Sequence, residues 1–222
     1  MELYEALYTT RSMRRLRPDP IPLEIQARIL DAAIRAPSGG NTQRWRFVLV
    51  DDPVLRDKLG EIYRDCVRQL WSGPAYAARI AAAEAEPDTD EHKQSLQLVR
   101  SAQHLADHFQ ETPLLLFAFA LSDSSGSSVF PSVWSAMLAA RAEGVGSCLT
   151  TILDFRQDDV FAVLGVPADA GWQMVCCITL GYPLGRWGVA QRRPAHEVAF
   201  RNGWEQPVGF EVPTPLWPGA VS

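Results

Sequence analysis

The chain has 222 residues, 47% of them apolar and 21% charged, with a formal net charge of -5. That length supports one substantial hydrophobic core with room for a small insertion. The composition is that of an ordinary globular protein, and the acidic balance argues against general nucleic-acid binding, which needs a basic face. No stretch reaches the roughly 20 apolar residues of a membrane span, and residues 1–11 carry neither the basic nor the apolar region of a secretory signal. The four cysteines, Cys66, Cys148, Cys176 and Cys177, show no C-x-x-C spacing. A reduced, cytoplasmic protein without a disulfide framework is therefore expected.

Residues 2–9 read as a short helix with Leu3, Ala6 and Leu7 on one face. Pro18-Asp19-Pro20-Ile21-Pro22 is a stiff extended link. Pro22 suits the first turn of a helix that runs to about Ala36, with Ile25, Ile29, Leu30, Ala33 and Ile34 at helical spacing. Pro37 and Gly39-Gly40 stop it. Residues 46–50 read as a strand closed by Asp51-Asp52-Pro53, and a helix follows over 54–71 until Ser72-Gly73-Pro74 breaks it. Residues 75–90, alanine-rich and then acidic, depart from regular patterning and read as a mobile lid, with helix resuming over 91–109. The near-continuous apolar run 113–121 predicts a central strand buried on both faces.

A polar loop at 122–128 leads into an alanine-rich helix over 130–143, ended by Gly144-Val145-Gly146. A strand at 147–152, a short helix at 157–164 and a strand at 172–180 follow, and Gly181-Tyr182-Pro183 turns the chain. Cys176 and Cys177, adjacent in that last strand, point to opposite faces and read as buried structural thiols. Further on, Phe200, Trp204, Phe210 and Trp217 lack periodicity but are too apolar for a free tail.

Two short stretches and one pair carry chemistry. Arg11-Ser12-Met13-Arg14-Arg15, with Arg17, is a basic cluster in an acidic chain, which points to a local anion site. By itself it reads equally well as a solvated turn, and Pro37-Ser38-Gly39-Gly40-Asn41 by itself reads as a helix stop. Together with Arg192-Arg193 they fit one ligand with a phosphate and a flat, polar-edged ring. Guanidinium forks from Arg11, Arg14 and Arg192 or Arg193, with Ser12, suit the phosphate. Pro37, Ser38 and Gly39 permit close backbone approach, and Asn41, Gln43, Thr150 and Thr151 offer amides and hydroxyls to a ring edge.

Other groups are weaker. His104 and His108 have the i, i+4 spacing of zinc ligands, but no H-E-x-x-H glutamate or third ligand accompanies them, and no metal is expected. Neither a G-x-G-x-x-G dinucleotide fingerprint nor a G-x-S-x-G elbow is present. Trp71, Tyr76 and Trp134 suit either a flat-substrate pocket or the core.

In order and spacing these pieces resemble the nitroreductase family of FMN-dependent oxidoreductases. The resemblance rests on Thr10-Arg11-Ser12-Met13-Arg14-Arg15-Leu16 and on Ala36-Pro37-Ser38-Gly39-Gly40-Asn41-Thr42-Gln43-Arg44-Trp45. It continues through the helix from Pro131 to Ala140, the turn Gly144-Val145-Gly146-Ser147, Gly181-Tyr182-Pro183 and Arg192-Arg193-Pro194. It implies an α+β subunit with a central mixed or antiparallel sheet flanked by helices, in a homodimer with FMN at the interface. The domain would span 1–198 with a variable lid at 72–110, and 199–222 would be an extension packed on the partner subunit.

Carried over by position, the cofactor-binding residues are Arg11, Ser12, Met13 and Arg14 toward the phosphate and ribityl end, joined by Arg192 and Arg193. Pro37, Ser38, Gly39 and Asn41 would come from the neighbouring subunit, and Gln43 belongs to the same set. Leu149, Thr150 and Thr151 would lie by the ring, where backbone amides favour negative charge on the reduced flavin. Thr10, Leu16, Arg44 and Trp134-Ser135 stand where the family has arginine, an aromatic residue, proline and a Gln-Asn pair.

The implied reaction is hydride transfer from NAD(P)H to FMN, followed by reoxidation by a flat small-molecule acceptor such as a nitroaromatic or quinone, in ping-pong fashion. The cofactor carries that chemistry, so no catalytic acid or base is assigned, and neither nucleic acid nor membrane is expected as a partner. Related alternatives are a reductive dehalogenase, for which Tyr76, Glu84 and Lys93 are present at an unfamiliar spacing, a flavin-fragmenting enzyme, and a flavin-storing protein without turnover.

Overall fold

The structure, a computed structural model, describes residues 1–123, 125–217 and 219. They fall into two compact units, Ser12–Gly185 and a smaller one made of Met1–Arg11 with Arg186–Ser222.

The smaller unit begins with helix α1 (Leu3–Thr9). The Thr9 and Thr10 hydroxyls donate back to the Glu5 and Ala6 carbonyls at 2.6 and 2.7 Å, which caps the helix and leaves Thr10 extended and buried. The Arg11 guanidinium donates to the Arg186 carbonyl at 3.0 Å, and the Ala190 amide donates to the Tyr8 carbonyl at 3.2 Å. Tyr8 meets Trp217 with ring centroids 5.9 Å apart. Phe200 and Trp204 pair at 5.3 Å, yet Trp204 stays 82% exposed, and Phe200 and Phe210 are exposed as well.

The larger unit is built on four strands, β1 (Trp45–Val50), β2 (Leu114–Leu121), β3 (Gly146–Thr150) and β4 (Trp172–Gly181). They pair antiparallel throughout in the order β1-β2-β4-β3. Strand alternation in β2 divides the interior in two. Leu114, Leu116, Ala118 and Ala120 join a core with α2 (Leu23–Ala33) and α6 (Val129–Ala142). Leu115, Phe117 and Phe119 join another core with α3 (Pro53–Ser72), α5 (Asp90–Asp107) and α7 (Gln157–Leu164). Cys176 falls in the first core and Cys177 in the second, as their adjacency requires. Burial pushes the Cys176 thiol up to about 12.

Apart from α2 ending at Ala33 rather than near Ala36, the sequence pattern and the structure differ in two places. Residues 75–90 are mostly regular: α4 (Pro74–Ala85) starts at a proline in its first turn and lies against α5, with Arg79 donating to Ser95 Oγ at 3.3 and 3.0 Å. Only Ala83 of this helix is buried, and its apolar stripe is short, Tyr76, Ile80 and Ala83 facing Leu96, Leu98 and Val99 of α5. The second difference is at β3, which stops at Thr150, because Thr151 leads into a 3-10 turn over Ile152–Arg156.

Residues 12–17 run beside the ends of β3 and β4. The Met13 amide donates to the Ser147 carbonyl at 2.9 Å, Arg17 to Tyr182 at 2.8 Å, and Leu184 to Arg15 at 3.0 Å. Gly146 and Gly181 are register partners, and both make room for this segment. A Cβ on Gly146 would stand 3.0 Å from Met13 Cβ, and one on Gly181 would stand 3.0 Å from both Leu16 Cβ and Pro113 Cγ. Those neighbours are anchored near the backbone and cannot swing aside. Gly181→Ala is expected to cost about 1–3 kcal/mol of stability, the range for overpacking, measured as a lower midpoint in urea with an unchanged slope.

Candidate functional site

A cleft of about 660 Å³ opens in the larger unit at the C-terminal end of β3, within the range of small-molecule sites. Its floor is the run from Cys148 to Ile152 together with Gln173, Met174 and Val175 of β4. Tyr63 and Trp71 of α3, Tyr76 of α4, Leu98 of α5 and Phe130 of α6 form its walls, and Arg14 supplies its cation. Trp71 and Tyr76 meet edge to face at 5.4 Å, which gives the cleft an aromatic corner.

Arg14 is held beside the floor by the backbone bonds of Met13 and Arg15. Its guanidinium donates to Ser101 Oγ of α5 at 3.5 Å, and no carboxylate among the described residues pairs with it. Arg17 is engaged elsewhere, paired with Asp19 at 3.3 Å and stacked over Tyr182. Arg14 is thus a half-buried cation whose charge faces a cleft, an arrangement suited to a bound anion.

Three titratable groups around the cleft have pKa values displaced from their ordinary ones. Burial pushes the Cys148 thiol up, against the opposing pull of the Arg14 charge and of hydrogen bonds with Ser12 and Arg14. Burial also raises the Tyr63 phenol to about 12, although its hydrogen bond with Thr150 pulls the other way. Asp123, at the rim, is different. Desolvation raises its carboxyl, but hydrogen bonds from the Ser128 amide, the Ser127 hydroxyl and the Val129 and Ser127 amides outweigh it and leave the pKa below its ordinary value. These bonds, at 2.9–3.3 Å, make Asp123 the cap of α6, since Ser128 contributes no side-chain cap of its own.

The structure brings together some of the residues expected from sequence and leaves others apart. Arg14, Leu149, Thr150 and Thr151 line the cleft, as do Trp71 and Tyr76, while Trp134 does not. Ser12 bridges to Ser147 and Met13 is buried beneath it. Pro37, Ser38, Gly39, Asn41 and Gln43 are not among the lining residues. They form an exposed turn in which Gly40, Asn41 and Gln43 all have positive φ, fixed by Gln43 N–H donating to Ser38 Oγ at 3.2 Å and the Gln43 amide donating to Asn41 Oδ1 at 3.1 Å. Arg11, Arg192 and Arg193 belong to the smaller unit. There Arg192 donates to the Gln191 carbonyl at 2.7 Å, and Arg193 pairs with Glu197 at 3.3 Å.

His104 and His108 lie with ring centroids 4.5 Å apart, and His108 meets Glu111 at 2.9 Å. Burial, then the charges of His108 and Arg15, lowers the His104 pKa. Sequence reasoning missed Tyr63, Asp123 and Cys148. Tyr63 and Cys148 look like core positions, and Asp123 carries no signal beyond its place before a helix.

An antiparallel sheet between two helical layers, with an aromatic-walled cleft at a strand end and the Arg14 cation facing it, defines an α+β protein with a candidate small-molecule site. Residues 7–182 match the model of the nitroreductase family, and the chain belongs to that family. It is 33% identical over 213 residues to a 5,6-dimethylbenzimidazole synthase of Rhodospirillum rubrum, covering 86% of this chain and 90% of the relative. It is 31% identical over 196 residues to an NADH dehydrogenase of Thermus thermophilus, covering 85% and 90%. The fold is shared with an iodotyrosine deiodinase solved in its oxidised form with FMN and 3-iodo-L-tyrosine, at a TM-score of 0.68 and 24% identity, covering 91% of this chain and 100% of that one.

Asp123→Ala is expected to cost about 1 kcal/mol at neutral pH, the usual value of a helix cap. Because the folded pKa is depressed, this contribution is present above the unfolded value of about 3.9 and disappears as pH falls through the lower folded value. Urea unfolding of the two proteins should therefore converge in strong acid.

Proposed function

We propose that the cleft binds FMN and that the protein is an NAD(P)H-dependent oxidoreductase acting on a flat small-molecule acceptor, a nitroaromatic, a quinone or a compound of similar shape. One observation carries this reading: within a nitroreductase-family chain, an unpaired half-buried arginine and a strand end carrying two threonines share one cleft of cofactor size. The residues present fit the group. Arg14 offers a guanidinium to a phosphate, and the Thr150 and Thr151 region offers hydroxyls and amides to the polar edge of a ring. The aromatic wall of Trp71 and Tyr76 offers a surface for a planar molecule.

When bound, FMN would supply the hydride chemistry. The chain's own contribution is to anchor the anionic end, orient the ring edge and keep water from the apolar wall. Arg11, Ser12, Met13, Arg192 and Arg193 are assigned to the phosphate and ribityl end, and Pro37, Ser38, Gly39, Asn41 and Gln43 to the cofactor of a partner subunit in a homodimer. Two features support the dimer. The 37–43 turn holds a strained, ligand-ready conformation outside this chain's own cleft, and the uncovered Phe200, Trp204 and Phe210 need a surface. The buried, free thiols suit a cytoplasmic protein.

A second reading is favoured by the 33% identity to a dimethylbenzimidazole synthase: a related FMN reaction in which the flavin itself is consumed. A deiodinase-type reading has less support, because Tyr76 lines the cleft but Glu84 and Lys93 do not. Reconstitution with FMN followed by anaerobic NADH or NADPH separates these possibilities. Bleaching by either nucleotide, and recovery of the flavin spectrum on adding a nitroaromatic or quinone, is expected. Bleaching by dithionite alone would sink the enzyme reading, and loss of the flavin spectrum with release of dimethylbenzimidazole in air would favour the synthase.

Arg14→Gln is expected to weaken FMN binding by about 10–100-fold, the cost of one lost charge-assisted contact, read from flavin fluorescence quenching. Sedimentation should give twice the 24.6 kDa chain mass, and Trp204→Asp should shift the protein toward monomer.

A further inference from the structure

The cleft wall contains a buried phenol for which anchoring and stacking have no use. Tyr63 is 5% exposed on α3 and lies flat on Phe109, with ring centroids 4.1 Å apart and planes at 15°. Its ring is fully accounted for by packing. Its hydroxyl is not a core group: it reaches Thr150 Oγ1 at 3.5 Å, and both residues line the cleft. The Ile152 amide also donates to Thr150 Oγ1, at 3.4 Å. Both distances are long, as expected of a site that tightens around its ligand.

A threonine hydroxyl has two acceptor lone pairs and one proton. With the Tyr63 O–H and the Ile152 N–H directed at the lone pairs, Thr150 has only its proton left to offer. We propose that Tyr63 is a positioning residue that commits the Thr150 hydroxyl to donating, so that it serves the electron-rich edge of the bound ring and favours its reduced form. The inference rests on the reading of this cleft as an FMN site. Burial raises the phenol to about 12, so Tyr63 remains protonated and a donor at every pH at which the protein would work. The Arg14 charge acts on the same phenol, in the opposite direction and more weakly than burial.

The test is the midpoint potential of FMN bound to the reconstituted protein, measured anaerobically against a reference dye. Tyr63→Phe removes one oxygen and keeps the stack on Phe109. It is expected to lower the preference for reduced over oxidised FMN about tenfold, equivalent to about 30 mV for a two-electron couple. Thr150→Val should shift the potential in the same direction, and the double variant should move it no further than Thr150→Val alone. 3-Fluorotyrosine at position 63, a stronger donor of nearly the same shape, should raise the potential and serves also if Tyr63→Phe fails to fold. A wild-type potential in Tyr63→Phe, a double variant equal to the sum of the single shifts, or no change with fluorotyrosine would overturn the proposal while leaving the FMN site intact. Failure of the wild-type protein to take up FMN would overturn both, and is seen in the flavin absorbance before any variant is made.

Discussion

The site depends on the close docking of residues 12–17 against the ends of β3 and β4. Three backbone hydrogen bonds hold this segment, and two glycines that face each other across the sheet, Gly146 and Gly181, leave the gap it fills. The Arg14 side chain itself is only loosely held, its bond to Ser101 being 3.5 Å long. A long, rotamer-rich side chain becomes a useful ligand group when its Cα is fixed. The backbone ladder therefore turns a surface arginine into a positioned one, and the two absent Cβ atoms are what allow the ladder to form.

That docking in turn depends on a sheet buried on both faces. β2 alternates between two cores, and its apolar run leaves the strand ends as the place where polar groups reach solvent. Among the strands, β3 is at the edge of the order β1-β2-β4-β3. Its outer side is therefore free to take residues 12–17, and its C-terminal end is free to open into the cleft. An edge strand with unpaired backbone is an aggregation hazard unless something covers it. Here the segment that covers β3 also carries the cleft's cation.

Much of this was legible in the chain. The double burial of β2 and the opposite placement of Cys176 and Cys177 follow from strand alternation alone, and α7 was bounded to the residue. Arg14, Leu149, Thr150 and Thr151 line one cleft, together with Trp71 and Tyr76. What was not legible required three dimensions. Gly146 and Gly181 read as a helix stop and a turn, because a close approach from residues 12–17 leaves no mark in local sequence. Tyr63 sits at a core position of an amphipathic helix, so nothing distinguishes a phenol that fills space from one that also reaches a threonine. α4 is hard to read because alanines on every face mask its short stripe of Tyr76, Ile80 and Ala83. Arg11, Arg192 and Arg193 fall in the smaller unit, and the 37–43 turn lies outside the cleft lining. Their shared role is inferred from family spacing and from the proposed second subunit.

Burial and hydrogen bonding displace the pKa values of three groups around the cleft in opposite directions. Tyr63 and Cys148 are pushed upward by burial, and Asp123 is pulled downward by the amides it caps. A general acid or base works best with a pKa near the ambient pH, and these shifts move the three groups away from it. Among the described residues no histidine lines the cleft. Such a floor is built to hold fixed hydrogen-bonding directions rather than to exchange protons. It places a neutral donor, a fixed cation and a capped carboxylate around a space of defined shape, and electrostatic preorganisation of this kind does most when charge develops on the molecule it surrounds. The lid side contributes mainly apolar and aromatic surface through Trp71, Tyr76 and Leu98. In the proposed reading, selection of the acceptor would fall to shape and desolvation at the wall, and tuning of the bound group to the hydroxyls at the strand end.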